Sequence, residues 1–328
     1  MNSIVTIFRL AILGLVIAVP ALVAIAVGPS GPTAASDQGV YDTSDLARVD
    51  SSALPAPVAI AARDGARLAV RVYDAPGNTV ILAIHGSSGN GWYYQPLAQF
   101  LSRKGKATVY TLDLRGHGKS DGRRGDVDYI GQLEDDVADV IAAIRARRPD
   151  ARIVLLGHSA GGGLLVRYAG GGRGPAADGY VLLAPYLGPA APTTKPDAGG
   201  WARPDIPAIT ALVAKAAQGD TSGQDAIVLR FNQPAATAGP GQVLAYSFRM
   251  VASFTPRPDL GRELSALRRP LLVLTGDRDE SFYADQYGPT IAPHAAGTFR
   301  TLPGVTHIGL VVNPRTAEEI EAWLDRLP

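Results

Sequence analysis

The sequence predicts an α/β fold, in which helices flank a mostly parallel central sheet and an inserted helical lid interrupts the second half of the chain. Short, continuously apolar runs recur along the chain, as expected for strands that are buried on both faces. Helical patterns separate these runs, and a Pro- and Gly-rich stretch breaks the alternation between residues 186 and 266. With 328 residues, 46% of them apolar, the chain can bury one large core.

The first element is an uncharged apolar segment from Leu10 to Val27, which follows Arg9. A run longer than the roughly 7–15 residues of a signal-peptide core favours a retained membrane anchor over residues 1–27. Ala24-Ile25-Ala26 offers a small-residue cleavage site, so a cleaved signal is the alternative. Because the positive charge precedes the segment, we expect the rest of the chain to be exported, either anchored outside the cytoplasm or secreted or periplasmic.

A flexible linker follows over residues 28–52, because its Gly, Pro, Ser, Thr, Ala and Asp residues show little periodicity. The folded part begins near Ala53 with two strand-like runs, residues 57–62 and 67–73. Between them lies Asp64-Gly65, a dipeptide that suits a tight hairpin turn. We therefore expect an antiparallel pair to open the sheet.

Six apolar runs predict the remaining strands: residues 79–84, 107–112, 153–156, 180–184, 270–274 and 298–302. Between the second and third runs, an apolar helical face from Ile130 to Ile144 carries acidic residues early and arginines late, which complements the helix dipole. This helix and its two flanking strands form a predicted βαβ crossover. The chain closes with a helix that Thr316-Ala317-Glu318-Glu319 introduces as a capping box.

The insertion spans residues 186–266 and divides the core into residues 53–185 and 267–328. It contains amphipathic pieces such as Ile206 to Ala217 and Val243 to Phe254. We expect these pieces to form the helical lid over the sheet.

Gly157-His158-Ser159-Ala160-Gly161 lies where the strand at residues 153–156 ends and a helix begins. A strand-to-helix turn this tight strains the backbone of the serine and exposes its hydroxyl at the carboxyl edge of the sheet. The flanking glycines leave room for the neighbouring backbone. A chance match in a Gly-rich chain is the alternative, but the preceding strand favours Ser159 as a nucleophile.

A serine hydroxyl needs a base and a carboxylate that orients the base. Of the five histidines, His307 follows the last strand, where the chain order of serine, acid and histidine places the base. The strand at residues 270–274 leads into Gly276-Asp277-Arg278-Asp279-Glu280. Asp279 is the predicted acid because it lies past the bend, whereas Asp277, the alternative, suits a cap on the bend itself.

The oxyanion of a tetrahedral intermediate also needs hydrogen-bond donors. The backbone amides of Ala160 and Ser87 are the predicted donors, with Ser88 as the second choice for the latter. The stretch from Gly86 to Gly91 could instead be a flexible turn, but its position after the strand at residues 79–84 favours the functional role.

Composition and motifs exclude several other chemistries. There are no cysteines, so thiolate nucleophiles and cysteine-bound metals are excluded. Gly116 to Ser120 ends like a phosphate-binding loop, but Asp113 stands where that loop needs glycine. No histidine pair has metal-binding spacing, so we predict no metal and no cofactor. Thirty-one basic and thirty acidic residues without long runs make nucleic acid an unexpected partner.

These motifs resemble the α/β-hydrolase superfamily and, within it, the branch of monoacylglycerol lipases, lysophospholipases and serine aminopeptidases. The resemblance extends from about Ala53 to the C-terminus, and the N-terminal segment and the insertion lie outside its motifs. Those motifs are His85-Gly86-Ser87-Ser88-Gly89, Asp113-Leu114-Arg115-Gly116-His117-Gly118-Lys119-Ser120-Asp121-Gly122, Gly157 to Gly161, Leu183-Ala184-Pro185, Gly276 to Asp279 and Gly304 to His307.

The resemblance implies an α/β-hydrolase fold, a catalytic triad of Ser159, Asp279 and His307, and an oxyanion hole formed by the Ser87 and Ala160 amides. It implies a hydrolase of carboxylic esters that forms an acyl-enzyme. The apolar lid and the membrane-proximal linker favour lipid-like esters such as monoacylglycerols or lysophospholipids. A serine aminopeptidase and a non-catalytic binding protein on the same fold are the alternatives, and the sequence predicts no oligomeric state.

Overall fold

The computed structural model of the protein describes residues 41–47, 49–50, 54–172, 174–233, 239 and 241–327. The predicted anchor or signal over residues 1–27 and residues 28–40 of the predicted linker lie outside this part of the chain. Within the described ranges, no helix is both long enough and apolar enough to cross a membrane.

The strands of the described chain are β1 (Val58–Ala61), β2 (Arg67–Tyr73), β3 (Thr79–Ile84), β4 (Thr108–Leu112), β5 (Arg152–His158), β6 (Gly179–Leu183), β7 (Ala202–Pro204), β8 (Ile227–Phe231), β9 (Ala245–Ser247), β10 (Leu271–Gly276) and β11 (Thr298–Leu302). Eight of them form the central sheet in the order β1-β2-β4-β3-β5-β6-β10-β11. β2 pairs antiparallel with β1 and β4, and all other pairs are parallel. The predicted mostly parallel sheet with an antiparallel opening pair is therefore confirmed.

Burial explains why the central strands read as continuous apolar runs. Every residue of β4, β6 and β10 is buried, because these strands are covered on both faces. β1 lies at one edge of the sheet and buries only Ile60. The hairpin turn between β1 and β2 contains Gly65 at a φ of 86°, a conformation that glycine adopts readily.

The α-helices of the described chain are α1 (Ser44–Ala47), α2 (Gln95–Arg103), α3 (Gln132–Arg147), α4 (Ala160–Gly171), α5 (Ile206–Ala217), α6 (Phe248–Phe254), α7 (Leu260–Ser265), α8 (Tyr287–Ile291), α9 (Gly309–Val312) and α10 (Pro314–Leu324). Short 3-10 helices span Gly91–Tyr94, Pro196–Gly200 and Ala284–Gln286. The apolar face predicted for α3 is confirmed, since Val137, Ile141 and Ile144 are fully buried.

The predicted capping box at Thr316 is wrong. α10 begins at Pro314, and the side chain of Asn313 caps it by accepting a hydrogen bond from the amide of Arg315 at 3.0 Å. Asn is a preferred N-cap residue, and proline suits the first helical position because its missing N–H needs no partner there. Thr316 is consequently buried inside the helix.

The insertion at residues 186–266 contains α5, α6 and α7, but also β7, β8 and β9, which form a separate three-stranded antiparallel sheet. The sequence predicts only helices here, because two of these strands have three residues and are too short for a period-2 pattern. Leu212, Val228 and Phe248 form a small apolar cluster apart from the main core. The action of the insertion as a lid remains a prediction.

The described end of the predicted linker packs against the folded domain. Tyr41 and Leu46 pack against the main core, and α1 contacts α9. The sequence does not predict this packing.

Candidate active site

Ser159 occupies a strained turn between β5 and α4. Its φ of 53° and ψ of −121° are unusual for a residue with a side chain. A Cβ on Gly161 would lie 2.3 Å from the carbonyl oxygen of Ile84, and a Cβ on Gly157 would lie 2.7 Å from that of Gly161. The turn therefore requires glycine at both positions, and the structure has the strand-turn-helix arrangement that the motif predicts.

Asp279 and His307 form a buried pair. Nδ1 of His307 lies 2.7 Å from Oδ2 of Asp279, and both side chains are 1% exposed. The other oxygen, Oδ1, accepts hydrogen bonds from the amides of Ser281 and Phe282 at 2.9 Å each. An ionised carboxylate only accepts hydrogen bonds, so Nδ1 carries the proton and Nε2 is left as the basic nitrogen.

Asp277, the alternative acid, has a different role in the structure. It is exposed, and its Oδ1 accepts the amide hydrogen of Gly304 at 2.7 Å. This contact ties the turn after β10 to the turn after β11. Asp277 thus caps the bend, and Asp279 is the carboxylate that contacts His307.

The sheet brings the three predicted triad residues to one edge. Ser159 follows β5, Asp279 follows β10 and His307 follows β11, and these strands are parallel. The rings of His158 and His307 have centroids 4.5 Å apart, which places His307 beside the turn at Ser159. The described contacts include no hydrogen bond from the Ser159 hydroxyl to Nε2 of His307, a bond that in many enzymes tightens only in the substrate complex.

The loop after β3 lies against the predicted nucleophile. A Cβ on Gly86 would be 3.0 Å from Cβ of Ser159. The amide of Ser88 donates a hydrogen bond to the hydroxyl of Tyr246 at 2.7 Å, so this amide is already engaged. The geometry consequently favours Ser87 over Ser88 as an oxyanion donor. Ala160 begins α4, where free amides and the helix dipole favour an anion.

Comparison with known proteins identifies the family. The family described as serine aminopeptidase, S33, matches residues 75–286. The chain belongs to this family. A monoacylglycerol lipase of Mycolicibacterium smegmatis is 29% identical over 216 residues, which are 62% of this chain and 71% of that protein. A monoglyceride lipase of Mus musculus is 34% identical over 127 residues, 38% of this chain and 41% of that protein.

Solved structures agree on the fold of this S33-family protein. A soluble variant of monoglyceride lipase from Saccharomyces cerevisiae, in complex with a substrate analogue, has a TM-score of 0.63 at 18% identity and covers 84% of this chain and 96% of that one. The monoacylglycerol lipase of Paleococcus ferrophilus has a TM-score of 0.53 at 19% identity and covers 78% and 98%. At these identities the likeness shows the fold alone, and the predicted α/β-hydrolase fold is confirmed.

His158, which directly precedes Ser159, connects the loop after β3 with the loop that carries His307. Its Nε2 donates to the carbonyl oxygen of His307 at 3.1 Å, so its Nδ1 accepts from the hydroxyl of Tyr93 at 3.2 Å. The Tyr93 oxygen in turn accepts the amide hydrogen of Gly86 at 2.5 Å. Burial holds the pKa of His158 well below its usual value, so the ring stays neutral and serves as a structural bridge.

His85 and His117 are two further structural histidines. Nδ1 of His85 donates to the carbonyl oxygen of Gly86, while Nε2 accepts from the amide of Leu114. Burial lowers the pKa of His85 to about 4. His117 accepts at Nε2 from Tyr246, the residue that also holds Ser88. The sequence presents these histidines as candidate bases, and only their contacts show that both ring nitrogens are engaged within the loop scaffold.

The loop after β4 is also a scaffold. The Asp113 carboxylate accepts amide hydrogens from Gly91 at 2.8 Å and Lys119 at 2.9 Å. Gly118 has a φ of 48°, and a Cβ there would overlap the same carboxylate. Asp113 therefore organises this loop from within. Among the described residues, no group of three or more His, Cys, Asp or Glu side chains could hold a metal ion.

The insertion contributes a pair of buried aromatic residues, Trp201 and Phe231, that the sequence does not predict. Nε1 of Trp201 lies 3.3 Å from the hydroxyl oxygen of Ser87, next to the predicted oxyanion donor. The Trp201 ring stacks on Phe231 with centroids 5.1 Å apart. Trp201 lies in a Gly- and Pro-rich stretch with no periodicity, so no local signal marks it as a site residue.

Proposed function

We propose that this protein is a serine hydrolase that cleaves carboxylic esters through an acyl-enzyme on Ser159. The observation that carries the proposal is the buried Asp279 and His307 pair beside a strained, Gly-flanked serine turn. In α/β hydrolases this combination supplies a nucleophile, a base and an orienting acid.

The mechanism follows from these positions. Nε2 of His307 takes the proton of Ser159 as the hydroxyl oxygen attacks the ester carbonyl, and the amides of Ser87 and Ala160 stabilise the resulting oxyanion. His307 then gives this proton to the leaving alcohol, and the acyl group remains bonded to Ser159. Water, deprotonated by His307, attacks the acyl-enzyme and releases a carboxylic acid, and the proton returns to the serine.

We propose lipid-like esters, of the monoacylglycerol or lysophospholipid type, as the substrate class. Trp201 and Phe231 are buried aromatic side chains beside the predicted oxyanion donor, so the surroundings of Ser87 are apolar, which suits a lipid-like ester. Several relatives carry the names monoacylglycerol lipase or monoglyceride lipase, which adds support.

The family description also names an aminopeptidase, whose substrate amine needs a carboxylate partner. Two acids of the described chain already make other contacts. Glu280 accepts the amides of Asp42 and His307, and Asp205 caps α5. These contacts favour the esterase over the peptidase.

We also propose that the folded domain lies outside the cytoplasm. The support is the apolar segment at Leu10 to Val27 with Arg9 before it. If residues 1–27 are retained, the protein contacts the membrane through them. Protease added to spheroplasts, in which only the cytoplasmic membrane remains as a barrier, should then remove a C-terminal tag, and protection of the tag until that membrane is lysed would contradict export.

A fluorophosphonate probe and two substrate classes test the catalytic proposal. We expect covalent labelling of the wild-type protein, loss of labelling and turnover in Ser159→Ala, and no change in Ser265→Ala, a matched exposed serine on α7. We expect p-nitrophenyl acyl esters to be hydrolysed in preference to aminoacyl p-nitroanilides. Full labelling of Ser159→Ala would refute the nucleophile, and faster anilide hydrolysis would refute the esterase.

A further inference from the structure

Tyr41, from the segment before the folded domain, lies on the predicted catalytic base. Its ring stacks on His307 with centroids 4.8 Å apart and planes 24° apart. Its hydroxyl lies 2.7 Å from the hydroxyl oxygen of Ser281. The Ser281 hydroxyl donates its hydrogen bond to the carbonyl oxygen of Ala198, so the Tyr41 hydroxyl is the donor to Ser281. Burial raises the pKa of Tyr41, which keeps that donor protonated.

The residues that follow Tyr41 fix the segment against the catalytic loops. The amide of Asp42 donates to Oε1 of Glu280 at 3.1 Å, and Oε2 of Glu280 accepts the amide hydrogen of His307 at 2.9 Å. α1 then packs against α9, which begins two residues after His307, and Leu46 packs on the core. The segment at residues 41–47 is therefore attached to both the acid loop and the base loop.

The hydrogen bond to Asp279 fixes only one atom of the His307 ring, so the ring can still tilt about that bond. Three rings restrict this motion: Tyr41, His158 at 4.5 Å and Phe282 at 5.2 Å between centroids. Of the three, Tyr41 makes the smallest interplanar angle with the imidazole. The Tyr41 ring also contacts Trp201, with centroids 4.7 Å apart, and so connects His307 with the aromatic residue beside the predicted oxyanion donor.

We propose that Tyr41 is a positioning residue of the active site. Its ring holds the imidazole of His307 in the orientation that directs Nε2 at Ser159. The segment at residues 41–47 thereby completes the catalytic site, although it precedes the S33-family match at residues 75–286. This inference rests on the proposed ester hydrolysis.

Two variants of the full-length protein, Tyr41→Ala and Tyr41→Phe, test the inference. Their kcat and KM are measured with p-nitrophenyl butyrate, and kcat is calculated from the concentration of active sites that a fluorophosphonate titrates. We expect Tyr41→Ala to lower kcat about 10-fold with KM changed less than about 2-fold, because a loosened base misaligns the reacting groups. Tyr41→Phe keeps the ring and should retain kcat within about 2-fold of wild type. Tyr129→Ala, at an exposed tyrosine bonded to Asp135, is the matched control and should not change kcat.

Several results would overturn the inference. Wild-type kcat per titrated site in Tyr41→Ala, or a rise in KM alone, would show that Tyr41 does not position the base. A higher kcat would show that Tyr41 obstructs the site, and equal losses in the Phe and Ala variants would assign the effect to the hydroxyl. If only these tests fail while Ser159→Ala is inactive, the proposed function stands, whereas a wild-type protein without esterase activity would overturn both.

Discussion

Acidification should destabilise this protein through three histidines that are buried in the neutral form. Both ring nitrogens of His85, His117 and His158 are hydrogen-bonded, and burial lowers the pKa of each. In the unfolded chain a histidine has a pKa near 6.5, so below that pH the unfolded state binds more protons than the folded state. The stability that is present above pH 6.5 is therefore lost as the pH falls.

The size of the effect follows from the pKa of His85. Folding lowers this pKa from 6.5 to about 4, which corresponds to a loss of about 3 kcal/mol in the free energy of unfolding on acidification, at about 1.4 kcal/mol per pH unit. His117 and His158 act in the same direction. Where all three histidines titrate only in the unfolded state, the free energy of unfolding therefore changes by about 4 kcal/mol per pH unit. Domains are commonly stable by about 5–15 kcal/mol, so these histidines alone can remove much of that stability by pH 4.

Urea unfolding followed by circular dichroism from pH 7 to pH 4 measures this slope. The variant His85→Asn should reduce the slope by about 1.4 kcal/mol per pH unit, because one titrating group is removed. A free energy of unfolding that stays constant between pH 6.5 and pH 4.5 would refute the assignment of neutral, structural histidines.

Two further predictions concern the site. Asp279→Asn should lower kcat by about 10³–10⁴-fold, because the amide no longer holds His307 in the form that carries its proton on Nδ1. Asp277→Asn, the control, should change kcat less than about 2-fold. Steady-state kinetics measure kcat of both variants, and equal losses would show that Asp277 shares the role of Asp279. Gly161→Ala should lower the free energy of unfolding by about 1–3 kcal/mol, because its Cβ would overlap the backbone of Ile84. Urea unfolding measures this loss, and Gly288→Ala, where a Cβ meets nothing within 4 Å, is the control that should show none.

Local patterns predict most of the fold. The strands at Thr79–Ile84 and Thr298–Leu302 and the helix at Ile206–Ala217 have the predicted bounds. Their signals are short-range, since burial on both faces of a strand and one apolar face of a helix both appear as periodicity in neighbouring residues. The predicted capping box at Thr316 is wrong because a second local signal competes with it: Asn313, three residues earlier, is the residue that caps the helix.

The sequence by itself determined the sheet, the strained turn at Ser159 and the chain order that selects His307. Only the tertiary structure decided that Asp279 contacts His307 while Asp277 caps a bend, that the amide of Ser88 is engaged, and that the ring of Tyr41 stacks on His307. The first group depends on residues close together in the chain. The second depends on contacts such as that between Tyr41 and Ser281, 240 residues apart, which exist only once the strands have brought their loops to one edge of the sheet.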